Sequence, residues 1–180
     1  MDMYNYELKI PKERIAVVIG KDGAIKKELE ETTKTKLRID SKEGDIFIVG
    51  EDALGLYTAR EIVQAIGRGF SPDTALHLLK QDYVFETMHL LDYAKSKEAQ
   101  IRIKGRVIGR EGKARKCIEE LTETYISVFG KTIGIIGNSE SVAIARRAID
   151  ALLRGATHAS VFQWLERKRK QMKKREMLEL

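Results

Sequence analysis

The chain has 180 residues, 43% of them hydrophobic and 33% charged, which suits a globular protein of one large or two small domains. Its net charge of +6 points only weakly to a polyanionic partner, because net charge governs solubility and non-specific binding rather than fold. A single cysteine excludes a disulfide framework, no apolar run approaches the roughly 20 residues of a membrane span, and no signal peptide is visible, so we expect a cytoplasmic protein.

The first half of the chain predicts short strands and amphipathic helices around one glycine turn. Alternating residues indicate the strands, Pro11 suits the first position of a helix, and Ser71-Pro72 is a helix start signal. The helix beginning near Asp52 is expected to turn Leu54, Ala59, Ile62 and Ile66 inward. In chain order the predicted elements are a strand at 4–10, a helix at 11–19, a helix after Gly23, strands at 37–40 and 45–49, a helix at 52–66 and a short helix at 71–79.

The second half repeats the first. Val18–Gly23 recurs as Val107–Gly112 at an offset of 109 − 20 = 89, and later matches slip to 87 and 86 where loops are expected. The chain is therefore predicted to be two tandem domains, residues 1–81 and 82–180. The repeat places Ile101–Lys104, which alone alternates like a strand, in a helix. The other predicted elements of this copy are strands at 86–91, 125–129 and 132–136 and helices at 141–153 and from about 157.

Both copies show the order strand, helix, Gly-x-x-Gly, helix, two strands, helix, which resembles a type I KH domain. We therefore expect an α+β fold of β-α-α-β-β-α order, with a three-stranded antiparallel sheet, helices on one face and an extra C-terminal helix in each domain. Glycine allows a positive φ and a close approach of the backbone to a ligand. A loop of this kind at the start of a helix attracts phosphate and clamps about four nucleotides of single-stranded RNA.

Basic residues flank the second loop more densely than the first. Residues 15–27 carry three cations and one acid, 3 − 1 = +2, whereas residues 104–116 carry six and one, 6 − 1 = +5. The acids Asp22 and Glu111, at the third loop position, are expected to point away from phosphate. An apolar groove floor is predicted from Val18, Ile19, Ile25, Leu37 and Ile39, and from Val107, Ile108, Ala114, Ile118, Ile126 and Val128. The predicted RNA-binding residues are Gly20, Lys21, Gly23 and Lys27 in the first copy and Arg106, Ile108, Gly109, Arg110, Gly112, Lys113, Arg115, Lys116 and Ile126 in the second.

The stretches Lys104–Thr122, Tyr125–Thr132 and Leu165–Arg169 resemble the Krr/Pno-type small-subunit ribosome-assembly factors, and the compact two-domain chain resembles their archaeal members. The resemblance implies binding near the 3′ end of small-subunit rRNA during maturation. It also implies two partners, the Nob-type endonuclease that trims that end and a translation initiation factor subunit.

Two other functions were weighed against RNA binding. The aspartates form no recognisable constellation for metal-assisted phosphodiester hydrolysis, so we predict no catalytic residue, metal or cofactor. An adaptor that binds proteins, with RNA held by the second domain only, is the alternative. The run 167–175 holds seven basic residues and no acid, and the sequence leaves open whether it is a solvated helix face or an RNA contact. Trp164 is predicted to pack rather than to stack on bases, and Cys117 to act as a small apolar residue.

Overall fold

A computed structural model describes residues 3–180 and contains two compact units. The first unit ends at Tyr83 and the second begins at Val84, whereas the sequence placed the division between residues 81 and 82. Each unit has its own sheet and its own core, and the predicted α+β architecture is confirmed in both.

The first unit contains, among the described residues, three strands and four α-helices, and its third strand in chain order lies in the centre of the sheet. In chain order they are β1 (Tyr4–Lys9), α1 (Lys12–Ile19), α2 (Ala24–Thr33), β2 (Thr35–Asp40), β3 (Asp45–Gly50), α3 (Ala53–Gly67) and α4 (Pro72–Ala75). Antiparallel pairing on both sides of β3 gives the strand order β1-β3-β2, so β2 lies at an edge. A 3₁₀ turn, Lys21–Gly23, joins α1 to α2 and contains the predicted loop.

Alternation along β3 builds the first core. Ile46 and Ile48 are fully buried on the face towards α3, while Phe47 between them is half-buried on the other face. Ile62 and Ile66 of α3 are also fully buried, one helical turn apart. The core therefore lies between the sheet and the helices, as predicted from the alternating pattern of the strands and the amphipathic pattern of the helices.

The second unit repeats this arrangement with a longer final helix. In chain order its elements are β4 (Tyr83–His89), whose first residue is the last of the first unit, α5 (Lys97–Ile108), α6 (Lys113–Thr122), β5 (Tyr125–Phe129), β6 (Thr132–Asn138), α7 (Ser139–Leu153) and α8 (His158–Leu178). The sheet has the order β4-β6-β5, and α5 is joined to α6 by the 3₁₀ turn Arg110–Gly112. Ile101–Lys104 is helical, which confirms the prediction made from the repeat against local periodicity.

The core of the second unit lies between β6, α7 and the first half of α8. Ile133 and Ile135 of β6, Ile149 of α7 and Leu165 of α8 are all fully buried. Trp164 is partly buried and packs against this cluster, so the prediction that it packs is confirmed.

Two details of the first unit differ from the sequence predictions. Pro11 is the residue that precedes α1 and not its first helical residue. Leu54 is 71% exposed instead of facing the core, because Asp52 caps α3 by accepting hydrogen bonds from the amides of Leu54 and Gly55, which fixes the first turn with Leu54 outward. Among the described residues, none of the helices is both long and apolar enough to cross a membrane.

Candidate nucleic-acid interface

The first glycine of each loop is fixed by its conformation and by the packing of the next helix. Gly20 has φ 74° and ψ 176°, and Gly109 has φ 73° and ψ 177°. Residues other than glycine almost never adopt this combination of backbone angles. A Cβ on Gly20 would lie 2.9 Å from the amide nitrogen of Ile25, and one on Gly109 would lie 2.8 Å from that of Ala114. Internal packing therefore accounts for these two glycines, for which the sequence predicted close approach of a ligand.

The second glycine of each loop is open to solvent on its Cβ side. Gly23 and Gly112 are left-handed, with φ of 75° and 74°. A Cβ built on Gly23 would meet nothing within 4 Å, and one built on Gly112 would meet only the Nη2 atom of Arg115 at 4.0 Å. A sugar–phosphate strand can thus approach the backbone closely at this position, as expected of a ligand-binding glycine.

In each turn, two main-chain amides take no part in the hydrogen bond that closes the turn. That bond runs from the amide of the second glycine to the carbonyl of the first, at 3.2 Å in the first unit and 3.3 Å in the second. The amides of the intervening residues, Lys21 and Asp22 in one loop and Arg110 and Glu111 in the other, take no part in it. Such amides beside the positive end of a helix dipole form a binding position for an anion.

The side chains of the second loop are presented to solvent. Arg110 and Lys116 are exposed. The carboxylate of Glu111 lies 3.9 Å from the ammonium of Lys113, with 84% and 77% of the two side chains exposed, so this pair is weak and easily exchanged for contact with a phosphate. In the first unit Lys27 makes a similar pair with Glu31 at 3.9 Å.

A glutamate of α6 pairs with one main-chain amide on the free edge of strand β5. Glu119 Oε1 accepts a hydrogen bond of 2.8 Å from the amide of Ile126. Arg115 donates to the same carboxylate at 3.2 Å and to the carbonyl of Ile126 at 3.3 Å. The guanidinium of Arg115 is therefore partly engaged within the protein, and its side chain is 32% exposed.

The same contact occurs in the first unit, and sequence reasoning missed both. Glu30 Oε1 accepts a 2.8 Å hydrogen bond from the amide of Leu37 on β2. Both β2 and β5 are edge strands, so their outward amides need partners. The signal was available, since Glu30 and Glu119 are separated by the repeat offset, 119 − 30 = 89.

The predicted groove floor is only partly exposed. Ile126 is 4% exposed and belongs to the core of the second unit, so its side chain offers almost no surface to RNA. The reason is strand alternation, which turns Ile126 towards the core and leaves only its backbone at the edge. Val18, Leu37, Val107, Ala114 and Ile118 are buried in the same way. Ile19, Ile25, Ile39, Ile108 and Val128 are half-buried and remain available as an apolar floor.

Arg106, one of the residues predicted to bind RNA, holds the end of α7. Its Nε donates to the carbonyl of Leu152 at 3.0 Å and its Nη2 donates to the carbonyl of Ala156. A guanidinium here satisfies carbonyls and complements the negative end of the helix dipole. Arg14 does the same in the first unit, donating to the carbonyls of Ile66 and Phe70 at 2.8 Å each.

The Arg106→Met variant is expected to lower the free energy of unfolding by about 2 kcal/mol, because partly buried carbonyls lose charged donors. Affinity for RNA at 25 °C should stay within about twofold of the native protein. Urea denaturation and fluorescence anisotropy would measure the two quantities. Arg102→Met, on the exposed side of the same helix, is the matched control and should change neither. A large loss of affinity at unchanged stability would return Arg106 to the RNA-binding set.

Cys117 lies partly buried on α6, and the chemistry around it disfavours a reactive thiolate. Burial, together with the negative charges of Glu120 and Glu166, raises the pKa of the Cys117 thiol. Within residues 3–180, no three His, Cys, Asp or Glu side chains are grouped in a way that could hold a metal ion.

Comparison with protein families identifies both units. Residues 5–65 match the KH domain family, and residues 84–170 match the eukaryotic-type KH domain, KH domain type I. The predicted resemblance to type I KH domains is therefore confirmed.

Individual relatives span archaea and eukaryotes. A KH domain-containing protein of Methanocaldococcus jannaschii is 48% identical over 171 residues, covering 93% of this chain and 75% of the relative. Dim2p in the crystal structure of the a/eIF2alpha–aDim2p–rRNA complex from Pyrococcus horikoshii OT3 is 47% identical, with a TM-score of 0.88 over 94% of this chain and 96% of that one.

The pre-rRNA-processing protein PNO1 of Chaetomium thermophilum is 29% identical over 151 residues, 79% of this chain. The chain spans 58% of the length of that relative.

Proposed function

The chain belongs to the family of KH-domain proteins that includes archaeal Dim2 and eukaryotic PNO1, and on that premise we propose that it binds single-stranded rRNA of the small ribosomal subunit during ribosome maturation without catalysing a reaction. The observation that carries this proposal is the second loop. It combines two amides left out of the closing bond of the turn, an open second glycine and exposed cations at the start of α6. These features suit the backbone of a single strand.

The residues proposed to touch RNA follow from the geometry. In the second unit the amides of Arg110 and Glu111 hold a phosphate, and exposed cations contact neighbouring phosphates. In the first unit the equivalent loop has fewer cations and is proposed to bind more weakly. The proposed set is Gly20, Lys21, Gly23, Lys27, Ile108, Gly109, Arg110, Gly112, Lys113, Arg115 and Lys116.

The place of binding and the partners are proposed from the family. We assign the 3′ region of small-subunit rRNA as the target, and a Nob-type endonuclease and a translation initiation factor subunit as partners in the cytoplasm. The relative from Pyrococcus horikoshii was crystallised with both a/eIF2alpha and rRNA, which supports an initiation factor subunit as a partner here.

An adaptor role for the first unit is the second candidate. Its loop region carries a net charge of only +2, against +5 in the second unit, so its surface is the less suited of the two to a polyanion. In this arrangement the second unit binds RNA and the first binds a protein.

Fluorescence anisotropy with labelled RNA tests the proposed function. A single strand of about twelve nucleotides, longer than the four or so held by one clamp, should bind at least about tenfold more tightly than the same sequence in a duplex. For about four phosphates contacted at one clamp, log affinity should fall with log salt concentration with a slope of about −3. Equal binding of duplex and single strand, or no binding of either, would contradict the proposal.

A further inference from the structure

The solvent face of the last helix is a continuous basic surface. Arg167, Lys170, Lys173 and Lys174, here named the α8 stripe, lie about 80° or more around the helix from the buried Val161 and Leu165, at 100° of rotation per residue. Lys170, Lys173 and Lys174 are exposed, and within the described part of the chain none of the three makes an ion pair. No acidic residue interrupts the run from 167 to 175.

Packing does not explain the length or the charge of this part of α8. The fully or nearly fully buried residues of the helix are Val161 and Leu165, and every residue from Lys173 onward is exposed. Lys170 and Lys174 are four residues apart, a spacing at which like charges destabilise a helix. A surface that only needed solvation would gain from alternating signs.

The C-terminal part of α8 nevertheless contacts the body of the second unit. The guanidinium of Arg175 donates a 2.6 Å hydrogen bond to the carboxylate of Glu140, at the start of α7. Arg175 follows the last residue of the stripe, so this ion pair holds α8 on the C-terminal side of the stripe. This contact limits the positions that the end of α8 can take, which lowers the entropic cost of binding a second charged surface.

The position of the stripe relative to the loop can be followed along α8. The Nε2 atom of His158, the first residue of α8, lies 2.7 Å from the carbonyl oxygen of Arg106, three residues before Gly109. At 1.5 Å per residue, Lys170 lies about 18 Å along the helix from that point and Lys174 about 24 Å. RNA that continues beyond the clamp can therefore run along α8 towards these lysines.

We propose that the α8 stripe binds the sugar–phosphate backbone of RNA that flanks the nucleotides held by the second loop. Lysine ammonium groups contact phosphates as point charges and read no sequence, so this contact adds affinity and fixes the direction in which the RNA leaves the clamp. The inference rests on the proposed function, because it assumes that the second loop holds RNA.

The test uses the full chain with Lys170, Lys173 and Lys174 all replaced by glutamine, a residue of similar helix propensity. Lys42, Lys95 and Lys97, exposed lysines of a hairpin turn, a loop and a helix start, form the control triple with the same change of charge. Two single strands are compared, one of about five nucleotides that fills the clamp alone and one of about twenty that extends past it.

The stripe variant should bind the short strand like the native protein and the long strand at least about tenfold more weakly. For the long strand its salt slope should be less steep by about 2, since three phosphate contacts are lost at about 0.7 each. The control triple should bind both strands like the native protein.

Unchanged binding of the long strand by the stripe variant would overturn the proposal while leaving the clamp intact. An equal loss in the control triple would also overturn it, since net charge alone would then explain the effect. Failure of the native protein to bind either strand would instead refute the proposed function.

Discussion

Replacement of both Arg110 and Glu111 by aspartate is expected to lower the affinity of the chain for single-stranded RNA by about a hundredfold, with the second unit still folded. The change converts the cation at the amides of the loop into an anion, so a favourable charged contact is exchanged for repulsion. A hydrogen bond to a charged group contributes about 1.5–3 kcal/mol, and about 2.7 kcal/mol corresponds to a hundredfold change in affinity.

The backbone should tolerate this double substitution. Glu111 has φ 54° and ψ 27°, in the left-handed region, where aspartate is more readily accommodated than most residues. Both glycines are retained. The circular dichroism spectrum and the urea midpoint should therefore match those of the native protein, and anisotropy would measure the affinity.

The first loop supplies a matched comparison, because Asp22 is already acidic and the single change Lys21→Asp creates the same Gly-Asp-Asp-Gly sequence. If the second unit is the main RNA site, Lys21→Asp should lower the affinity by no more than about threefold, because the region around the first loop carries less positive charge. Equal losses in the two variants would contradict the division of labour between the units. Full affinity in the Arg110, Glu111 double variant would contradict the clamp itself.

Gly109→Ala is expected to destabilise the second unit by about 3 kcal/mol or more. A residue held in a backbone region reserved for glycine costs about 1–3 kcal/mol, and forcing a methyl group against a packed backbone atom costs about as much again. The added Cβ would lie 2.8 Å from the amide nitrogen of Ala114, which cannot move without displacing the start of α6.

Gly112→Ala is the internal control for that prediction. Its conformation is left-handed, but no atom lies closer than 4.0 Å to the added Cβ, so only the conformational cost of about 1–2 kcal/mol applies. Urea denaturation of the two variants should therefore give clearly different midpoints. Equal midpoints would show that the contact with Ala114 is relieved by a small shift of the chain.

The repeat made most of the fold predictable. A short alternating segment such as Ile101–Lys104 resembles a strand when taken alone, but its counterpart in the first copy precedes a glycine turn, so the first copy showed that the segment is helical. The two Gly-x-x-Gly turns could also be predicted, because glycine marks positions whose backbone angles few other residues adopt. These features depend on local conformation, which a few neighbouring residues determine.

Side-chain direction was harder to predict, because it depends on contacts between elements distant in sequence. Leu54 is exposed because a capping aspartate sets the rotation of the first turn. Arg106 binds carbonyls 46 and 50 residues away, which no local pattern reveals. Its functional counterpart is Arg14, although the repeat offset would pair residue 106 with Val17. The arginine has moved by about one helical turn while its targets kept their places, so alignment by offset could not find the pair.

The carboxylates of Glu30 and Glu119 have a consequence for association between molecules. An edge strand with unpaired amides is a template on which a strand from another chain can add, and such addition begins many aggregates. Each glutamate occupies one of these amides on its strand, so an incoming strand would have to displace a charged hydrogen bond at that point. Replacement of either glutamate by alanine would leave a bare template, and the protein would then be expected to self-associate as its concentration rises.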